Sequence, residues 1–282
     1  MNIRKAAALA ILCCMAAAAP VLAAESIVIK GSTTVLPIAQ RALEAYMKAH
    51  PGVQISLSGG GSGEGIKAIV DKTADIGNSS REIKKEEIAL AAKKGAKPVA
   101  HVVAFDALVP VVHPSNPVQG LTVEQLSLIY QGKITNWKEV GGKDMRIVAI
   151  SRDSSSGTFE SWDHFVMKKA KVSPRAQMLA SNGAVYTAVS KNRYSIGYLG
   201  MGYVKKGVKA LAVAGVQATP ETALSRQYPM SRELYMYTGG TPAGETGKFI
   251  DFVKSPAGQK IVAAEGFVPI QGTAPAGKGK KK

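Results

Sequence analysis

Cysteine is almost missing from this chain. Only Cys13 and Cys14 occur, both inside the leading apolar segment. If that segment is removed, no disulfide framework, thiol nucleophile or cysteine metal site remains. Histidine is equally scarce: His50, His101, His113 and His164 are scattered, and none has a metal-type partner four positions on. Aromatics make up 6% of the residues. Long apolar runs are confined to the start, so nothing later reads as a membrane-spanning helix. No Gly-x-x-x-x-Gly-Lys-Ser/Thr phosphate loop and no Gly-x-Ser-x-Gly nucleophile elbow occurs. The stretch from Gly63 to Ala68 meets the permissive Gly-x-Gly-x-x-Ala dinucleotide pattern, but three further glycines, Gly59, Gly60 and Gly61, precede it and do not belong to that fingerprint. Asp163-His164 beside a serine-rich turn suggests a hydrolase only superficially, because adjacent helical residues point in different directions. Neither catalytic residues nor a metal or cofactor is expected.

The chain does contain an export-type leader. Arg4 and Lys5 precede an Ala-rich apolar run over residues 6–19, and Pro20 with Val21-Leu22-Ala23 supplies a small-residue cleavage site. Residues 1–23 are therefore expected to be a signal peptide, and the mature protein periplasmic. A lipid anchor on cysteine needs a small residue before it, which Leu12 and Cys13 do not provide. The 282 residues carry a net charge of +16. Setting aside Arg4, Lys5 and the tail lysines Lys278, Lys280, Lys281 and Lys282 leaves about +10 on the body. Such a surface concentrates small anions. The lysines are not interleaved with aromatics as in single-strand binders, so no nucleic-acid partner is expected. Residues 273–282 are expected to be a basic disordered tail.

The body alternates strand-like and helix-like patterns, which predicts an α/β fold with parallel strands and crossover helices. Helices are predicted over 36–49, where Leu36, Ala39, Leu43 and Tyr46 share a face, after the glycine cluster with Ile66, Ile69 and Val70 inward, and over 84–94. Another is predicted from Thr122, with Gln125 as its capping-box partner. A helix with Phe159, Trp162 and Phe165/Val166 inward is predicted after 158, and two more over 248–254 and 258–264. Strands are predicted over 27–29, 54–58, 74–77, 146–150, 195–199, 210–213 and 233–237, together with a β-rich stretch over 101–113 broken by Pro110.

Three segments share one plan of strand, Ser/Thr/Gly turn and helix: Gly31-Ser32-Thr33-Thr34, residues 59–65 around Ser62, and residues 151–158 from Ser151 to Thr158. At a helix start the first N–H groups lack helical acceptors, and the helix dipole adds positive potential. A hydroxyl there adds a donor, so the arrangement suits an oxyanion. Capping alone would explain any one of them. Three together, with Arg152 four residues before Ser156, describe a donor-rich cage, because a guanidinium fork matches two oxygens of a tetrahedral anion. A surface ion pair between Arg152 and Asp153 is the plainer alternative for that arginine.

With these segments, residues 74–81 (Ala-Asp-Ile-Gly-Asn-Ser-Ser-Arg), Gly132-Lys133-Ile134-Thr135-Asn136-Trp137, Ile196-Gly197-Tyr198 and Tyr228-Pro229-Met230-Ser231-Arg232 complete a recognisable set. The chain resembles the periplasmic phosphate-binding proteins of phosphate ABC transporters over about residues 26–272. The resemblance implies a two-lobed clamshell that binds inorganic phosphate and does no catalysis. It implies lobe I over 24–105 plus 232–272, an inserted lobe II over 106–231, and a hinge of crossing strands near Phe105 and Ser231. Carried over by position, the phosphate-binding residues are Thr33, Thr34, Ser62, Ser80, Arg152, Ser156, Gly157 and Thr158. Ser80 stands where many members have an aspartate, which leaves sulfate or another tetrahedral oxyanion as the alternative ligand; a secreted phosphatase, which would need a nucleophile or a metal, is the further and lesser alternative. Members often pair the arginine with an acid two positions on; here that position is Ser154, and Asp153 is the expected substitute. The implied partner is the membrane permease of a phosphate ABC transporter, and the implied state is a monomer.

Overall fold

The computed structural model describes residues 25–270. The predicted leader and the basic tail lie outside the described residues. In chain order the elements are β1 (Glu25–Gly31), α1 (Leu36–Ala49), β2 (Val53–Gly59), α2 (Ser62–Val70), β3 (Ile76–Ser79), α3 (Lys85–Lys93) and β4 (Val99–Val112). There follow β5 (Gly120–Leu121), α4 (Val123–Tyr130), β6 (Val148–Arg152), α5 (Gly157–Trp162), β7 (Gln177–Leu179), α6 (Asn182–Lys191) and β8 (Ser195–Gly200). The chain continues through β9 (Lys209–Ala210), β10 (Ala212–Val213), α7 (Pro220–Leu224), β11 (Ser231–Thr238), α8 (Gly244–Lys254) and α9 (Pro256–Ala264).

The strands run in the order β2-β1-β3-β11-β4-β8-β6-β7, with β9 also paired to β4. β1 pairs parallel with β2 and β3, and β6 pairs parallel with β7 and β8. Each parallel set is built by helical crossovers, as the alternating pattern predicts. The two sets meet through antiparallel β4 and β11. The first part of β4, up to Ala107, pairs with β11; its remainder, from Leu108 to Val112, pairs with β8. Pro110 does not break this strand, contrary to the sequence expectation. It sits opposite Tyr198, and its carbonyl accepts Leu211 N–H at 2.9 Å, so only the missing proline N–H goes unused.

Apolar side chains divide into two large cores. One contains Leu108, Val111, Leu126, Trp137, Trp162 and Tyr198. The other contains Ile27, Ile29, Ile38, Leu43, Leu234 and Phe249. Burying each such side chain contributes roughly 1.5–3 kcal/mol. Trp162 stacks on Tyr198 with centroids 4.2 Å apart, which ties α5 to the sheet. α4 begins with the predicted capping box: Gln125 N–H donates to Thr122 Oγ1 at 3.0 Å, and Thr122 N–H donates to Gln125 Oε1 at 2.9 Å. The helix after 158 departs from expectation: after Trp162 it widens into a π-type turn over Asp163–Met167. Trp162 and Val166 are buried as predicted, whereas Phe159 and Phe165 are only half-buried. Sequence reading also missed β7, α6 and α7, which are short or weakly patterned.

Candidate functional site

All eight residues selected from the sequence are buried, and contacts among them join Thr34 to Thr158 and bring Ser62, Ser80 and Gly157 together. Thr33 and Thr34 lie in the turn between β1 and α1, three and two residues before the helix begins at Leu36. Ser62 is the first residue of α2, which follows Gly61 at φ +107°. Its hydroxyl accepts Ser80 N–H at 2.9 Å and lies 3.3 Å from Ser80 Oγ. Ser156 caps α5 by accepting Phe159 N–H at 3.2 Å, so that hydroxyl also has a structural duty. Thr158 Oγ1 is 2.9 Å from Thr34 Oγ1, across 124 residues of sequence.

The glycines allow the two helix starts to approach. Gly63 N–H donates to the Ser155 carbonyl at 3.0 Å, and Ser155 Oγ lies 3.0 Å from the Gly60 carbonyl. A Cβ on Gly157 would stand 2.2 Å from Ser62 Oγ. No side chain fits between these two segments.

Arg152 ends β6 and is 1% exposed. Its Nε and Nη2 donate to the carbonyls of Leu179 and Ala180, both at 2.9 Å, which fixes the plane of the fork. Nη1 is buried and finds no hydrogen-bond partner among the described residues. The expected contact with Asp153 is not formed: that carboxylate instead accepts Ser155 N–H at 2.9 Å, together with the Ser155 hydroxyl. Asp153 closes its own turn and acts on the arginine through its charge, without a hydrogen bond or ion-pair contact. Burial pulls the Arg152 guanidinium below its usual pKa, the Asp153 carboxylate pulls against that shift, and the Arg232 charge adds to it. The effects of burial and of Arg232 would both be relieved by an anion.

Three further residues complete the cluster, none of them singled out for the site from the sequence. Asp106 on β4 is fully buried and pairs with Arg232 on β11, with contacts of 2.9 Å from Nε and 2.8 Å from Nη2. Burial pushes the Asp106 carboxyl up, while Arg232 and the Met201 amide, at 2.9 Å, pull against that shift. Arg232 also donates to Ser161 Oγ at 3.2 Å and Thr158 Oγ1 at 3.2 Å. Asn182, the first residue of α6, donates from Nδ2 to Thr33 Oγ1 at 3.1 Å and Thr34 Oγ1 at 3.0 Å. The signals were present. Ser181-Asn182-Gly183 repeats the strand–turn–helix plan, and Asp106 is a lone carboxylate within a long apolar strand.

The cluster opens towards a cleft of ≈ 530 Å³ lined by Ser80, Arg81, Glu160, Ser161, Arg232 and Tyr235, among others. At its edge Glu87 holds Arg81 with two contacts of 2.8 Å. Burial works to raise the Glu87 carboxyl, but Arg81 and the Lys84 N–H outweigh it and hold it low. The free edge of Arg81 meets Glu160 of α5 at 2.9 Å, off the N–H axis, and Lys84 Nζ reaches the same carboxylate at 2.6 Å. A second depression of ≈ 490 Å³, lined by Thr135, Asn136 and Arg146, contains none of the selected residues. Among the described residues no set of His, Cys, Asp and Glu converges as a metal site would, and no helix is long and apolar enough to cross a membrane.

The arrangement is a compact set of hydroxyl, amide and guanidinium donors. Comparison with known proteins gives it relatives. The model of the PBP superfamily domain matches residues 16–257. The phosphate-binding protein PstS of Borreliella burgdorferi is 38% identical over 255 residues, covering 86% of this chain and 89% of that protein. That of Bacillus subtilis is 32% identical over 253 residues, covering 88% and 82%. A Clostridium perfringens structure with bound phosphate, assigned as a phosphate ABC transporter substrate-binding protein, has a TM-score of 0.82 and 37% identity, covering 88% of this chain and 100% of that one. An ABC-type phosphate transport receptor from Vibrio cholerae has a TM-score of 0.70 and 35% identity, covering 86% and 99%. The chain has the α/β fold of the periplasmic-binding-protein type and belongs to the PstS family of phosphate-binding proteins.

Proposed function

We propose that the chain captures inorganic phosphate in the periplasm and delivers it to the membrane permease of an ABC importer. It acts as a binding component, not an enzyme. The observation that carries this reading is Arg152: a buried guanidinium, anchored by two carbonyls, with Nη1 unpartnered among the described residues, at the end of the strand that leads into Ser156 and Thr158. A buried unpaired cation is costly unless an anion joins it. A tetrahedral oxyanion supplies acceptors for Arg152 Nη1, for the hydroxyls of Thr33, Ser62, Ser80 and Thr158 and for the Gly157 amide at the start of α5, while the Thr34 hydroxyl backs Thr158 and Ser156 caps the helix. The relatives named above support phosphate as that oxyanion.

The division into lobe I (24–105 plus 232–272) and lobe II (106–231) is supported by the two separate cores and by β4 and β11 as the crossing strands. In this reading the lobes close over the ion, and closure excludes water and strengthens each charge-assisted hydrogen bond. Each such bond contributes about 1.5–3 kcal/mol. Thermal unfolding of ligand-stripped protein tests the reading. Phosphate at about 100 times its dissociation constant adds roughly 2.7 kcal/mol to stability and raises Tm, and chloride does not. An unmoved Tm at millimolar phosphate contradicts it.

A further inference from the structure

The site's hydroxyls are supplied with N–H donors from behind. A threonine hydroxyl has two lone pairs and one proton. Thr33 Oγ1 accepts from Asn182 Nδ2 at 3.1 Å and from Asn182 N at 3.4 Å, which occupies both lone pairs. Thr34 Oγ1 accepts from Asn182 Nδ2 at 3.0 Å and more weakly from Arg232 Nη2 at 3.5 Å. Its proton then goes to Thr158 Oγ1 at 2.9 Å, which also accepts from Arg232 at 3.2 Å. Once both lone pairs of Thr33 and Thr158 are filled, each hydroxyl has only a proton left to offer.

The orientation of the Asn182 amide follows from its other end. Oδ1 accepts Gly200 N–H at 3.2 Å, so Nδ2 faces the threonines. Asn182 is fully buried, and its two Nδ2 hydrogens are both spent on Thr33 and Thr34. It joins α6 to the β1–α1 turn, so these bonds exist only when the two halves of the molecule are together.

We infer that Asn182 is a positioning residue that sets the direction of the site's hydroxyl protons, making Thr33 directly, and Thr158 by way of Thr34, obligate donors towards a bare oxyanion oxygen. This rests on the phosphate reading above and adds that ligand oxygens on the threonine side must be unprotonated. A residue that only held the fold together would need Oδ1 for Gly200 and not Nδ2. Asn182→Asp separates the two, because it keeps the acceptor for Gly200 N–H and replaces the donor with a second acceptor.

Phosphate affinity measured by calorimetry at pH 8, in the native background and in a Thr33→Val/Thr34→Val background, tests the inference as a double-mutant cycle. In the native background Asn182→Asp is expected to weaken phosphate binding about 50-fold, the loss of about one charge-assisted bond. In the valine background no hydroxyl remains for it to turn, and the further loss is at least about tenfold smaller. Equal losses in both backgrounds mean that the carboxylate acts on the ion directly, and overturn the inference alone. Wild-type protein that takes up no phosphate overturns the phosphate reading and this inference with it. Should Asn182→Asp not fold, Asn182→Ala goes through the same cycle, with about a tenfold loss expected in the native background and almost none in the other.

Discussion

Asp106 and Arg232 are direct register partners on β4 and β11, and their buried ion pair stands within reach of Thr34 and Thr158, hydroxyls from either side of the site. The pair fixes the floor of the site at the strands that cross between the two cores. Removing one member leaves the other charged and enclosed. Arg232→Met or Asp106→Leu should therefore cost about 3–5 kcal/mol of stability in urea unfolding. The double substitution should cost clearly less than the sum of the singles, because neither charge is then left unpaired.

Gly157 sets how closely the two glycine-rich helix starts can meet. Its missing Cβ is the space occupied by Ser62, whose Cβ would lie 2.8 Å away and whose Oγ would lie 2.2 Å away. Gly157→Ala should wedge the site open. We expect phosphate affinity to fall about 100-fold or more while the unfolding midpoint without phosphate changes little. Equilibrium dialysis and urea titration of the same preparation report the two effects.

The ion cluster at the cleft edge joins Arg81 and Lys84 to Glu160. Ser80 precedes Arg81, and Thr158 lies two residues before Glu160, so the contact closes beside residues expected to hold the ion. Glu160→Gln should speed phosphate release by about three- to tenfold in stopped-flow displacement, with little change in association rate. Added salt should narrow the difference between the two proteins, since the cluster is partly exposed.

Asp71 reports on acid stability away from the site. Lys67 and Lys94 hold its carboxyl down, from an ordinary 3.8 to about 2. A folded-state value below the unfolded one gives a contribution that is fully present above about pH 4 and is lost as the pH falls towards about 2. Asp71→Asn should therefore lower the urea midpoint at pH 7, and the two proteins should converge near pH 2.

Much of this was readable from the chain because the signals were local. Glycine runs beside serine and threonine marked the three helix starts, and Thr122 with Gln125 marked a cap that forms as expected. The rest depended on pairings distant in sequence. Asp106 and Arg232 are 126 residues apart, and Asn182 meets Thr34 over a separation of 148. No local pattern encodes such a contact. Pro110 misled for the same kind of reason: proline reads as a strand breaker, whereas its tolerance here depends on which neighbours use its carbonyl. Arg152 was found by its spacing to Ser156, but its anchors are the carbonyls of Leu179 and Ala180, which side-chain chemistry in the sequence does not reveal.

The most direct measurement is a calorimetric titration of phosphate into ligand-stripped wild-type protein and into Arg152→Met. Binding of one ion per chain at micromolar affinity or tighter is predicted for the wild type, with at least about 30-fold weaker binding in the variant. No uptake by the wild type, or equal affinity in the two proteins, would contradict a site organised around the buried guanidinium.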